Sequence, residues 1–178
     1  MRGLALFAFA TATAITAASP ALAVSEDLLE CPGQGVTPAF RDKLVDAVLA
    51  AESPETDAMF AQLLTVAEAC AERHGLTKGQ GEAYFTYALS RLLRDASSIR
   101  LGDAGISVAV LDEALDFGPG RTNPAITGDL EPAQIERIVA ALAANGVAVD
   151  TVPQSSWELV GGYAAATSQM WQARTKLP

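Results

Sequence analysis

Four side chains are the first candidates for chemistry. Tyr84, Tyr87, Arg91 and Arg94 fall within a narrow arc of one helical repeat. Tyrosine and arginine dominate binding hot spots: the ring supplies contact area at little rotamer cost, and the planar guanidinium takes a carboxylate through two parallel hydrogen bonds. The stretch around them, Leu76 to Leu101, is net positive in a chain of formal net charge −9, with Lys78, Arg91, Arg94 and Arg100 against Glu82 and Asp95. The arc is therefore the candidate binding site for a protein or a small anionic ligand. Its competing use is internal. Asp112, Glu113 and Asp116 form an acidic arc on the next helical segment that can neutralise the arginines, and tyrosine can cover apolar surface.

Other reactive residue types give less. Asp112 and Asp116 are four apart, and paired carboxylates bind Ca²⁺ or divide acid and base roles. That pair defines the alternative function, a cell-envelope hydrolase, although the solvated side of an amphipathic helix has the same pattern. There is no EF-hand pattern, and Glu82 and Glu158 lead into helices as capping residues instead of into a glycine-rich catalytic segment. The single histidine, His74, has no cysteine or carboxylate at ligand spacing, so no metal is expected. A His/Met haem would have to use Met59, on the same helix, or Met170, and no cofactor is expected. No G-x-S-x-G occurs, and Gly33-Gln34-Gly35 and Gly79-Gln80-Gly81 lack the preceding strand of a phosphate loop.

Residues 1–23 read as a signal peptide, with Arg2 as the charged start, an apolar run from Leu4 to Ile15, and Ala21-Leu22-Ala23 as the cleavage site. Thr11, Thr13, Thr16 and Ser19-Pro20 interrupt the run before it is long enough to span a bilayer. Cleavage after Ala23 leaves residues 24–178 as one domain, with 11 basic and 21 acidic residues and a net charge of −10. The expected location is periplasmic or secreted, with no membrane span after cleavage. The charge disfavours nucleic acid and anionic membranes. In an oxidising compartment Cys31 and Cys70 are expected to form one disulfide, whose loop contributes on the order of 4 kcal/mol by the chain-entropy relation.

The elements that must position these residues are helical. The clearest runs from Ser53 to His74: Ser53 as N-cap, Pro54 in the first turn, Glu55 and Asp57 at the positive end of the dipole, and Gly75 as the stop. Met59, Phe60, Leu63, Val66, Ala67 and Cys70 form its buried stripe, which points Cys70 inward. Before it, Thr37-Pro38 opens a helix to about Ala51, whereas Cys31-Pro32-Gly33 argues for a turn. The third segment, Leu76 to Leu101 with Thr77 as cap, is weakened at Gly79 and Gly81 and is expected to begin as late as Glu82. Its expected core stripe is Phe85, Leu89, Leu92, Leu93, Ala96 and Ile99, opposite the Tyr/Arg arc, which leaves the arc free to face solvent.

Beyond it lie a short helix from Ile106 to Phe117, a long break from Gly118 to Glu131 with room for a helical turn at Asn123 to Ile126, and a helix from Pro132 to Asn145-Gly146. Val147 to Pro153 reads as extended. The last helix is expected to start at a Ser155/Glu158 capping box and to carry a close-approach ridge of Gly161, Ala165 and Ser168. The fold class is all-α: one domain of about six helices in an antiparallel bundle, stapled by one disulfide. The organisation resembles small helical disulfide-bonded proteins of the bacterial periplasm in general, with no family motif matched residue by residue. The expected function is binding by an exported helical protein. The alternatives are the hydrolase above and a structural or stress-protective role.

Overall fold

A computed structural model describes residues 24–49 and 53–178. Residues 1–23, read from the sequence as a signal peptide, and the expected helix end at Ala51 lie outside the described residues. Those described form seven α-helices and no strand: α1 (Glu26–Gln34), α2 (Pro38–Leu49), α3 (Pro54–Arg73), α4 (Lys78–Asp103), α5 (Val108–Ala114), α6 (Pro132–Ala144) and α7 (Gln154–Arg174). The stretch before α7 contains a single 3-10 turn, Val149–Thr151. None of these helices is long and apolar enough to cross a membrane.

α3 forms as its sequence dictates. The Ser53 hydroxyl accepts from the Thr56 N–H, Pro54 occupies the first turn, and Met59, Leu63, Ala67 and Cys70 are buried. At its end Gly75 takes φ +66°, and the Gly75 and Leu76 amides bond back to Glu72 and Ala71. These are the two paired bonds of a left-handed helix stop, which glycine adopts without a Cβ clash. The inward Cys70 meets Cys31 in a disulfide with Cα atoms 6.0 Å apart, within the ordinary range for the bond.

The segment before α2 departs from expectation. It is not a turn: α1 is helical and carries Pro32 in its interior. A proline there has no N–H for the carbonyl four residues back, which would leave the Leu28 oxygen without its helical donor. The Tyr84 hydroxyl donates to that oxygen at 2.6 Å, and Arg91 Nη1 donates to the Leu29 carbonyl at 2.8 Å. A partner from another helix thus offsets the missing hydrogen bond. Leu28 and Leu29, each 2% exposed, are buried beside the disulfide. Gly35 ends α1 against α3 so closely that a Cβ would run into the Val66 side chain.

α4 and α7 form the central pair and run antiparallel: Ser90 faces Gln169, Arg94 lies over Tyr163, and Ser97 lies near Leu159 and Gly162. α4 begins at Lys78 on Thr77, the expected cap, and not as late as Glu82, because Thr77 and Gln80 form a reciprocal capping box that holds the glycine-weakened first turn. Its buried face is also rotated from the expected one. Tyr84, Tyr87, Ala88, Ser90, Leu92, Ala96, Ser97 and Leu101 are inside, whereas Phe85, Leu89 and Leu93 are only partly buried and Ile99 is exposed.

In α7 Ala164, Thr167 and Ser168 are buried, while a Cβ on Gly161 would meet nothing, so the expected Gly161 contact is not used. The helix starts after Pro153 with no side-chain cap, so Ser155 lies within its first turn and the expected capping box is not used. The segment at 123–126 is not helical; it is tied to α7 by Ser168, which donates to the Pro124 carbonyl and accepts from the Ile126 N–H.

Candidate functional site

The Tyr/Arg arc is spent inside the fold. Tyr84 and Tyr87 are buried, their rings stacked with centroids 6.2 Å apart. Arg91 donates to the Tyr87 hydroxyl at 2.9 Å and to Glu30 of α1 at 2.5 Å, with Asp95 3.6 Å from its Nε. Arg94 reaches Asp112 of α5 at 3.0 Å and lies over the Tyr163 ring, and the Tyr163 hydroxyl donates to the same Asp112 carboxylate at 2.7 Å. Asp112 thus meets the internal-pairing expectation for Arg94, while the partner of Arg91 comes from the far end of the chain. The expectation that the arc faces solvent opposite a buried stripe is corrected: two tyrosines line the core, and both guanidiniums are tied to carboxylates.

Electrostatics follow from that placement. Burial pushes the Tyr84 and Tyr163 phenols well above their ordinary range, and burial likewise raises Tyr87 against the lowering influence of Arg91. Burial disfavours the Arg91 charge, but its hydrogen bond to Glu30 and its contact with Tyr87 outweigh that, so the group holds its proton more firmly than free arginine. No guanidinium in the arc is left over for an incoming anion except Arg94 Nε, which is buried without a hydrogen-bond partner.

The remaining candidates are dispersed. Asp116 does not join Asp112; it accepts from the Thr122 amide and hydroxyl, lies 3.5 Å from Arg121, and is held below the usual carboxylate range by the Thr122 hydrogen bonds. A general acid needs the opposite shift. His74 is the cap residue of α3, while Met59 is buried in a different core cluster from Met170. Among the described residues no three His, Cys, Asp or Glu side chains are gathered as a metal site.

A groove on the other side of α4 is not among the sites expected from the sequence. It lies where α3 and α4 diverge from their tight turn and encloses about 620 Å³. Small residues make it: Ala67 and Ala71 of α3 and Gly81 of α4 form the floor, with Leu64, Leu76 and Phe85 as apolar walls. Leu64 is 42% exposed there. The rim holds Glu68, Glu72 and Glu82 with Lys78, and among the described residues none of the four has an ion-pair partner. One local signal points to it: Leu64, Glu68 and Glu72 follow at four-residue intervals and place an apolar side chain in line with two acids.

The fold and the groove together define a disulfide-stapled all-α protein with an apolar, acid-rimmed cleft. No protein-family model matches the chain, and no curated protein or solved structure shows significant similarity to it.

Proposed function

We propose that this chain is an exported helical protein, periplasmic or secreted, that acts by binding a protein partner through the groove between α3 and α4. The observation that carries the reading is the contrast in how side chains are used: the Tyr/Arg arc is internally committed, while the groove leaves apolar wall and unpaired carboxylates open. Export draws support from the leader-like residues 1–23 and from a disulfide, which suits an oxidising compartment. The anionic-ligand form of binding has weaker support, because Arg91 and Arg94 already hold Glu30 and Asp112. A hydrolase built on Asp112 and Asp116 is also less supported, since each carboxylate is held by its own separate partners.

The test uses a substitution that fills the groove without disturbing the core. A Cβ on Gly81 meets no atom within 4 Å, so Gly81→Trp places its ring in the cleft on a folded helix. Retention of envelope proteins by the immobilised chain, read by mass spectrometry, is expected to be lost with Gly81→Trp and kept with Arg91→Lys. Equal retention by wild type and Gly81→Trp would remove the groove as the working surface.

A further inference from the structure

Resting on that reading, we infer that the occupant of the α3/α4 groove is a basic amphipathic helix presented by the partner. Three features select this chemistry. The cleft between the two helices is open to solvent instead of enclosed, so an apolar face of a helix can be laid into it from outside. Its walls are aliphatic and aromatic, from Leu64, Leu76 and Phe85, and offer an apolar stripe of the kind that residues at i, i+3, i+4 and i+7 of a helix fill.

Its rim carries three carboxylates against one lysine, all lacking ion-pair partners among the described residues, so lysine or arginine flanking the apolar stripe finds complementary charge. The same charge argues against the other occupants. A second copy would bring a chain of net charge −9 onto an acidic rim, and an anionic lipid surface would be repelled in the same way.

The small floor residues explain why the trough exists. Gly81 adopts ordinary helical backbone, leaves open space where a Cβ would stand, and weakens α4 relative to alanine. Neither a turn nor a close helix contact requires it. Its effect on the surface is to leave room between the two helices for side chains from outside.

The test measures fluorescence anisotropy of three labelled 18-residue peptides against the purified protein: a Lys/Leu amphipathic helix, a scramble of the same composition, and a Glu/Leu counterpart. The Lys/Leu helix is expected to bind with an affinity that falls as salt is raised. The scramble and the Glu/Leu peptide should bind at least about tenfold more weakly. Gly81→Trp should cost at least about tenfold through the blocked floor, and Glu68→Lys with Glu72→Lys about tenfold through the rim. Circular dichroism and the melting temperature of each variant guard against loss of fold, and both glutamates are exposed.

Equal binding of helix and scramble, or indifference to both variants, would overturn the inference. So would a concentration-dependent dimer abolished by Gly81→Trp, which would assign the groove to a second copy. If the Lys/Leu helix fails while envelope retention is still lost with Gly81→Trp, the groove survives as the working surface and the basic helix does not. If retention is also unaffected, the groove itself is excluded.

Discussion

The two sides of α4 put their charged and aromatic residues to opposite ends. On one side every hydroxyl of the three tyrosines has a partner and both arc guanidiniums hold carboxylates, with Arg94 Nε alone unbonded: Tyr84 on the Leu28 carbonyl, Arg91 on Tyr87 and Glu30, and Tyr163 and Arg94 on Asp112. On the other, Glu68, Glu72, Glu82 and Lys78 surround an apolar cleft without pairing among the described residues. A buried polar group is costly unless its bonds are made, so the satisfied side reads as structure. Leu76 and Phe85 pack on the core with one side and leave the other to solvent, so the open side is the part of this surface on which a partner could act. Residue types that dominate binding sites can therefore be the mortar of a core, and satisfaction, not type, separates the two uses.

The largest effect that tests this contrast is the loss of the whole fold in alkali. The chain has three tyrosines, and all are buried with raised pKa values. An unfolded phenol ionises near 10, whereas each folded one keeps its proton to higher pH. The stability they contribute is fully present below pH 10 and is lost as pH rises from there toward the folded values. Phenolate absorbance should therefore show no normally titrating tyrosine and should appear together with loss of helical circular dichroism. A tyrosine ionising near pH 10 in protein that stays folded would place that side chain in solvent.

Next in size is the staple. Reduction, or Cys31→Ser with Cys70→Ser, should remove on the order of 4 kcal/mol, which lowers the melting temperature by roughly 10 °C for a chain of this length. Hydrogen exchange should show α1 losing protection first, because Cys31 lies in α1 and its other ties to α4 are the Tyr84, Arg91 and Glu30 bonds. Quantitative alkylation of both thiols in unreduced folded protein would dismiss the staple.

Why α1 is unreadable in the sequence follows from the same bonds. A proline and a glycine in succession argue for a turn, and what keeps the segment helical is a hydroxyl 56 residues away. The rotation of α4 has the same origin: counting apolar periodicity favours Phe85, Leu89 and Ile99, but Tyr84, Tyr87, Ser90 and Ser97 go inside, the tyrosines and Ser90 with partners on α1, α4 and α7. α3 is legible from cap to stop because its signals are local, and its inward Cys70 leads to the disulfide with Cys31. The groove is legible only in part, since a cleft is made by absent side chains at Ala67, Ala71 and Gly81 that come together through the turn.

A smaller effect separates the arc from a binding face directly. Arg91→Ala with Arg94→Ala leaves Glu30 and Asp112 without their cations, and removes the Arg91 bonds to the Tyr87 hydroxyl and the Leu29 carbonyl. Glu30 is about half exposed, so water screens much of its share. The better-buried Asp112 and the Tyr87 hydroxyl carry most of an expected loss of about 2–3 kcal/mol. Thermal melting should show a clear drop while binding of the Lys/Leu helix is spared at temperatures where the variant is folded. An unchanged melting temperature with binding abolished would return the arc to the surface.

The smallest effect has the opposite sign. Gly81→Ala adds a methyl group at a helical position where nothing lies within 4 Å, so it creates no clash. Alanine loses less backbone freedom on folding than glycine, and the substitution should stabilise α4 by about 0.5–1 kcal/mol, a rise of roughly 1–4 °C in melting temperature. The Thr77–Gln80 capping box already holds that turn, which keeps the gain toward the lower end. One methyl narrows the cleft without filling it, so the basic helix should bind slightly more weakly to a slightly more stable protein. On the arc side, Gly35→Ala provides the matched control: the same methyl meets the Val66 side chain and should cost about 1–3 kcal/mol. Two identical additions that move stability in opposite directions would distinguish a glycine required by packing from one that leaves a surface open. If Gly81→Ala destabilised as well, position 81 would be packed in solution and there would be no trough for a partner to fill.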